Sequence, residues 1–270
     1  MEPIVNYYSR FDEWGRLDRE PWEYLINISF IKKFIPPGAA VLDNGAGPGK
    51  YAMELARLGH RVTLADLTPK LVETARSKAE ELGLLDRFGG FHAADARDLS
   101  LFGDGQFGAS LMLGPLYHLQ AAEDRVRAVR ELHRVTAKDG WVFVAFMPRI
   151  RHLANSLRFP RNWRPNDTVS GLEAFAETGA FNHSEEGRFT GAYYFQVGDI
   201  VPFMESHGFG TVKLIGSGSI AGEMTEEQWD YWRAQGEEVS RRVLDLILQA
   251  AEDPYNLGSS SHLLYIGRRL

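Results

Sequence analysis

Val41-Leu42-Asp43-Asn44-Gly45-Ala46-Gly47-Pro48-Gly49 is the stretch on which the fold of this chain turns. Ala39–Asp43 is a short apolar run, read as a buried strand, and it ends in an acid. Three glycines follow at alternate positions. Glycine lets a backbone turn sharply and approach a ligand without a Cβ in the way. In open α/β sheets ligands bind beyond the carboxyl ends of the strands, and this loop lies at such an end. The rival reading is a dinucleotide loop, which needs G-x-G-x-x-G to seat a pyrophosphate at a helix N-terminus. Here Lys50 holds the third glycine position and Gly49 comes one residue early. Asp43 also stands just ahead of the first glycine, a poor neighbour for an anion and a good one for a cationic amino group.

Downstream of the loop, strand and helix signals alternate. Tyr51–Leu58 is amphipathic and stops at Gly59, and Arg61–Asp66 is a second strand. Thr68-Pro69 opens a helix, with Thr68 as its cap and Pro69 in the first position. Leu71, Val72, Ala75, Ala79 and Leu82 recur at helical spacing up to Gly83. Phe88–His92 is a weak third strand and Phe107–Leu113 a fourth. Val126, Val129, Leu132 and Val135 mark a helix closed by Asp139-Gly140, and Trp141–Met147 is a strongly apolar fifth strand. This alternation implies a parallel sheet covered on both faces. Residues 148–192 then turn to Arg, Asn, Gly and aromatics with weak periodicity, read as an inserted cap. Pattern resumes with a helix over Val197–His207 and a strand over Thr211–Ile215. Thr225-Glu226-Glu227-Gln228 fits a capping box. It starts one long helix, 225–252, with Trp229, Trp232, Val239, Val243, Leu246 and Ile247 on its apolar side. A last strand covers His262–Ile266.

Upstream, residues 1–35 read as a helical segment rich in aromatics, among them Tyr7, Tyr8, Phe11, Trp14, Trp22 and Tyr24, broken by Pro36-Pro37-Gly38. The chain thus divides into an N-terminal segment (1–38), a core (39–147), a cap (148–196) and a C-terminal completion of the core (197–270).

Composition narrows the function. The 270 residues are 44% hydrophobic and 24% charged, ordinary for a globular protein with a real core. A net charge of −6 disfavours a nucleic-acid coat, which needs excess Lys and Arg. With no cysteine, disulfides, thiolate metal sites and cysteine nucleophiles are excluded. The N-terminus lacks the pattern of a signal peptide, and no apolar run nears the roughly 20 residues of a spanning helix. The expected location is the cytoplasm, with no membrane contact.

The glycine loop resembles motif I of class I S-adenosylmethionine (SAM)-dependent methyltransferases, and further motifs follow in that family's order. Asp66, ending the second strand, matches the acid that grips the ribose hydroxyls, with Leu67 beside it. Asp95-Ala96 resembles the pair that binds adenine, though Asp98 stands close by. Leu113-Gly114-Pro115-Leu116-Tyr117-His118 is similar to the motif IV loop of the small-molecule, type 11 branch that includes ubiquinone-biosynthesis enzymes. The specific match covers roughly residues 39–147. It implies a Rossmann-like seven-stranded, mostly parallel sheet with helices on both faces and an antiparallel last strand. It implies SAM as cofactor and S-adenosylhomocysteine (SAH) as product. The cofactor-binding residues would be Asp43, Asn44, Gly45, Ala46, Gly47, Gly49, Asp66, Leu67, Asp95, Ala96, Leu113 and Gly114. Tyr8 and Arg16 would join them from the N-terminal segment, Arg16 as a guanidinium for the SAM carboxylate.

For catalysis the candidates are His118 and Tyr117. His118 is either a general base for a hydroxyl or amine acceptor or a packed histidine that orders its loop. Tyr117 is read as packing against the cofactor more than as a proton acceptor. Trp14, His183, Tyr193 and Tyr194 are candidates for the acceptor pocket. Catechol-type chemistry is disfavoured, because the loop at 113–118 holds no carboxylate for a metal, and no metal is expected. The loop also lacks the amide or acid with which amino-methylating nucleic-acid enzymes hold their target. The expected reaction is therefore methyl transfer by in-line displacement to O, N or C of a small molecule. A protein or RNA methyltransferase, or a SAM-binding module without catalysis, are the alternatives. The expected assembly is a monomer or homodimer.

Overall fold

The architecture was read from a computed structural model, which describes residue 8, residues 14–15, 21–185 and 188–270. Tyr7, Phe11 and Arg16 lie outside the described residues, and with them the reading of Arg16 as a carboxylate partner.

After helix α1 (Pro21–Phe34) the chain alternates β1 (Ala40–Asn44), α2 (Lys50–Arg57), β2 (Arg61–Asp66), α3 (Pro69–Glu81) and β3 (Phe88–Ala93). Next come β4 (Phe107–Met112), α4 (Ala122–Val135), β5 (Thr136–Phe146), α5 (Arg149–Arg158) and α6 (Val169–Thr178). A small hairpin, β6 (Ala180–Phe181) with β7 (Ala192–Tyr193), leads to α7 (Val197–Glu205) and β8 (Phe209–Gly216). Helices α8 (Glu226–Arg233) and α9 (Glu237–Ala250) precede the last strand, β9 (Leu263–Arg269).

Seven strands form one sheet in the order β3-β2-β1-β4-β5-β9-β8. β1 pairs in parallel with both β2 and β4, so strand order reverses at its edge. Loops leaving β1 and β4 therefore diverge, and a crevice opens between them at the carboxyl ends. β9 runs antiparallel between β5 and β8, with Leu263 opposite both Phe146 and Gly216. Its first residue thus lies at the same edge as the carboxyl ends of the parallel strands.

Burial explains the pattern. Val41 and Leu42 are fully buried on opposite faces of β1. Ala52, Met53, Leu55 and Ala56 turn one side of α2 into a core that also takes α1, α3 and α9. Across the sheet, Ala128, Val129 and Leu132 of α4 pack with Ile200 and Met204 of α7.

Three expectations need correction. Asp139-Gly140 does not close α4, which ends at Val135, with β5 starting at Thr136. Asp139, at φ 61°, and Gly140 instead lie where the β4–β5 register shifts between Phe107 and Ala109. The helix expected over 225–252 is two helices, parted at Gly236, whose φ of 105° no helix accepts. That break resets the helical phase, so Leu246 is 61% exposed while Leu244 and Leu248 pack on the core. Thr68 makes no side-chain cap on α3, although Pro69 does take the first turn. Thr225 and Gln228, by contrast, form the capping box in full. Residues 148–192 hold more regular structure than their pattern suggested. His152 of α5 sits there among the rings of Trp163, Phe175, Phe181 and Tyr194, with centroids 4.3–4.8 Å away.

Candidate functional site

The glycine loop is fastened to the end of β2. The amides of Gly45 and Ala46 donate to the Ala65 carbonyl at 2.8 and 3.1 Å. The Gly47 amide donates to Asp66 Oδ2, and the Thr68 amide to Asp66 Oδ1, both at 2.8 Å. Two glycines here are required by geometry. Gly45 has φ +75°, and a Cβ on it would stand 2.2 Å from Pro115 Cδ, so the loops after β1 and β4 touch only because Gly45 has none. Gly49, at φ +86°, caps α2 and would drive a Cβ to within 2.8 Å of Leu64.

Beyond these loops lies a cleft of ≈ 1060 Å³, measured out to its open mouth. Asp43, Asn44, Gly45, Ala46 and Gly47 line it from β1 and its loop, and Asp66 and Leu67 from β2. Asp95 and Ala96 line it after β3, and Leu113, Gly114, Tyr117 and His118 after β4. Tyr8 reaches it from the N-terminal segment. Asp98 is not among the lining residues and accepts from the Ser100 amide instead.

The electrostatics are uneven. Asp43 Oδ2 and both polar atoms of the Asn44 side chain are buried with no hydrogen-bond partner among the described residues. Buried polar groups are seldom left so, unless a ligand supplies the partner. Burial, reinforced by the charge of Asp66, pushes Asp43 up to about 7. Burial also raises Asp66, against the opposing pull of the Thr68 and Gly47 amides. At Asp95 burial works upward, but the hydrogen bonds and charge of Arg97 together hold it below the usual carboxylate range. Arg97 reaches both Asp95 oxygens and bridges on to Asp124 at 2.8 Å. Asp66 Oδ2, which accepts from the Gly47 amide, has room for a second donor from a ligand, whereas each Asp95 oxygen already accepts two Arg97 donors.

At the other end of the cleft, the Tyr8 hydroxyl and His118 Nε2 are 2.9 Å apart. The His118 ring is deeply buried, and that burial, with the nearby His262, pushes it down to about 4. Its Nδ1 has no partner in hydrogen-bond geometry. His118 is therefore neutral near pH 7. Tyr117 points its hydroxyl at the Leu113 carbonyl, 3.1 Å away, which fixes its ring in the cleft wall.

The four acceptor-pocket candidates are placed elsewhere. Trp14 packs beside Lys78 of α3. His183 is exposed, with Nε2 3.2 Å from the Asn162 carbonyl. Tyr193 lies under the Arg125 guanidinium at 3.5 Å. Tyr194 is buried in the cluster around His152, where burial and then the nearby Tyr117 raise its hydroxyl. None of the four lines the cleft.

Sequence reasoning missed Glu23, Lys50, Tyr51, Thr68, Leu71 and Leu119, which do line it. Glu23 carries no motif; it arrives in the first turn of α1. Next to it stands His262, with Nδ1 3.0 Å from Glu23 Oε2 and its ring 5.4 Å from that of Tyr117. The signal for His262 was present. An antiparallel final strand must begin at the ligand edge of the sheet, so the residue before it had to fall near the cleft. Among the described residues no three His, Asp or Glu side chains group as a metal site, and no helix is long and apolar enough to cross a membrane.

The strand order with an antiparallel strand beside β5, and the glycine loop at the reversal of that order, define the class I SAM-dependent methyltransferase fold. Residues 42–144 match the family described as Methyltransferase domain. Over 98 residues it is 36% identical to the ubiquinone biosynthesis O-methyltransferase of Xanthomonas axonopodis pv. citri, a match covering 36% of this chain and 39% of that protein. It is 37% identical over 79 residues to the tRNA 5-carboxymethoxyuridine methyltransferase of Escherichia coli K12, covering 29% of each. These matches span well under half the length of either relative. The fold likeness is broader. The Burkholderia thailandensis 1,6-didemethyltoxoflavin-N1-methyltransferase, solved with 1,6-didemethyltoxoflavin and SAH, superimposes with a TM-score of 0.59 at 15% identity. That superposition covers 99% of this chain and 85% of the neighbour.

Proposed function

We propose that this protein binds SAM in the cleft and transfers its methyl group to a small-molecule acceptor. The observation that carries the reading is that Asp43 Oδ2 and the Asn44 side-chain amide are buried without partners among the described residues, at the head of a glycine loop pinned to Asp66. A ligand with a cationic amino group and hydrogen-bonding edges would supply what they lack. Asp43 and Asn44 would hold that amino end, Asp66 the ribose hydroxyls, and Asp95 with Ala96 the adenine. When bound, SAM supplies a methyl group already activated on a sulfonium. The protein aligns the acceptor and shuts out water, a role suited to a deep cleft walled by Tyr8, Tyr117 and Leu119. The ubiquinone-enzyme relative and the toxoflavin-enzyme neighbour support a small, partly aromatic acceptor.

RNA is the second reading, favoured by the tRNA-enzyme relative. Calorimetry with SAM and SAH tests the donor. Micromolar or tighter binding of both is expected, and binding of neither would refute the reading. A radiolabelled methyl-transfer screen over metabolite fractions and total tRNA tests the acceptor. Label in tRNA alone would move the acceptor class to RNA. Binding without transfer to any pool would favour a SAM-binding module.

A further inference from the structure

We propose that Arg97 takes Asp95 out of cofactor recognition, so that the cleft holds the cofactor's purine by burial and does not read its 6-amino group. This rests on the SAM reading of the cleft and narrows one part of it: Asp95 bounds the adenine end without accepting from the amine. Asp95 follows β3 and lines the cleft. An ionised carboxylate has about four acceptor positions, two on each oxygen. Arg97 meets all of them. Its backbone amide and its Nε donate to Oδ1 at 2.9 and 3.0 Å. Nε, shared between the two oxygens, and Nη2 donate to Oδ2 at 3.1 and 2.6 Å. A tight turn, closed by the Asp98 amide on the Asp95 carbonyl at 2.9 Å, keeps the two side chains together.

The far side of the guanidinium is tied down as well. Nη1 donates to Asp124 Oδ2 at 2.8 Å, and Asp124 stands in the first turn of α4. Swinging the fork off Asp95 therefore also disturbs its bridge to α4. An adenine amine reaching Asp95 would have to displace one of these contacts. It would offer a neutral donor in place of a planar cation whose geometry matches the carboxylate. The side chains of Arg97 and Asp95 are 22% and 26% exposed, so water screens their attraction only in part. The exchange runs against the amine.

Asp98, the other acid of this loop, does not take over, because it does not line the cleft and its Oδ1 accepts from the Ser100 amide. The lining residues around Asp95 are apolar: Leu67 and Leu71 after β2, and Ala94 and Ala96 on either side of Asp95 itself. Such a wall holds a purine by removing its surface from water, a contribution that depends little on the group at position 6. Arg97 thus acts on the ligand only through Asp95, as a positioning residue.

The test is calorimetry on the full chain with SAH and with the SAH analogue that carries hydrogen in place of the 6-amino group. The wild type is expected to bind the two within about threefold, since no hydrogen bond to a charged group is lost. A site built around the amine would leave a carboxylate short of its partner and reject the analogue by about tenfold or more. Arg97→Met removes the fork and frees Asp95, so it should create that preference, with the analogue about tenfold or more behind SAH. Arg97→Lys keeps the charge but loses the fork, and should give a smaller preference of the same sign. A general loosening of the loop would weaken both ligands alike, so their ratio isolates the role of Arg97. A wild-type preference for SAH larger than expected, or a ratio unchanged in a folded Arg97 variant, would overturn the proposal. Where neither variant folds, the wild-type ratio alone decides. Failure of the wild type to bind SAH would instead remove the SAM reading beneath it.

Discussion

Both oxygens of Asp66 accept backbone hydrogen bonds, from Gly47 and from Thr68, so this carboxylate shapes the loop as well as facing the ligand. An amide in its place can accept at one atom only, and its NH₂ would face one of the two amide donors. Asp66→Asn is expected to lose about 1.5–3 kcal/mol of stability and to weaken SAH at least about tenfold. Denaturant unfolding and calorimetry read the two effects. Asp43 gives a pH dependence with a definite sign. Its folded pKa, about 7, is above the ordinary value of 3.8, so burial favours the protonated acid. That contribution to stability is complete below the unfolded value and disappears as pH rises through about 7. Asp43→Asn should therefore melt higher than wild type one unit above that midpoint. A ligand ammonium needs the ionised form, so wild-type SAH affinity should fall about tenfold per unit below the midpoint. A flat profile would mean that Asp43 does not meet the amino group. Asp43, Asp66 and Asp95 were legible in the sequence because each stands at or just past a strand end and falls in a motif resembling those of the methyltransferase family. Glu23 was not, because only the packing of α1 carries it to the cleft.

Between elements, the contact of the β1 and β4 loops rests on one missing atom. Gly45→Ala would place a Cβ 2.2 Å from Pro115 Cδ while holding a positive φ. Both loops wall the cleft, so parting them should cost SAH about a hundredfold in affinity, or roughly 3 kcal/mol. Gly236→Ala is the control. Its Cβ meets nothing within 4 Å, and its φ of 105° costs backbone strain alone. About 1–3 kcal/mol of stability should go with SAH affinity unchanged. Equal binding losses in the two variants would show that loop contact is not what shapes the site. The same two places mark what sequence could reveal about elements. Glycines at the end of an apolar strand were readable as a ligand loop, because strand burial leaves so plain a trace. Gly236 hid inside a helical pattern that ran on past it with nearly the same residues. Asp139-Gly140 misled in the opposite way, as turn residues spent on a register shift within β5 and not on a helix end. His262 was recoverable from topology alone, given the antiparallel β9.

For the molecule as a whole, charge separates the two acceptor classes. RNA binding requires a field of unpaired Lys and Arg, and the chain carries −6 overall. The most basic stretch, residues 149–164, looks like an exception until its partners are counted. Arg151 and Arg158 share Glu223 at 2.8 and 3.3 Å. Arg164 meets Asp167 and Glu185, and Arg149 spends its guanidinium on the carbonyls of Ala176, Glu177 and Tyr194. Most of that positive charge is answered within the fold, so few phosphates could be neutralised without breaking existing pairs. Fluorescence anisotropy with tRNA should accordingly show binding no tighter than the non-specific range, about 10⁻⁴–10⁻⁶ M, with a shallow salt slope. An acceptor that relied on six phosphates would give a slope near −4 to −5 in log K against log salt. Such a slope, with affinity well below micromolar, would move the acceptor to RNA. It would also require the Glu223 and Glu185 pairs to open, which Glu223→Gln would reveal by tightening tRNA. Weak, salt-insensitive binding alongside tight SAH would leave the cleft walled by Tyr8, Tyr117 and Leu119 as the place where a small acceptor is selected by its shape.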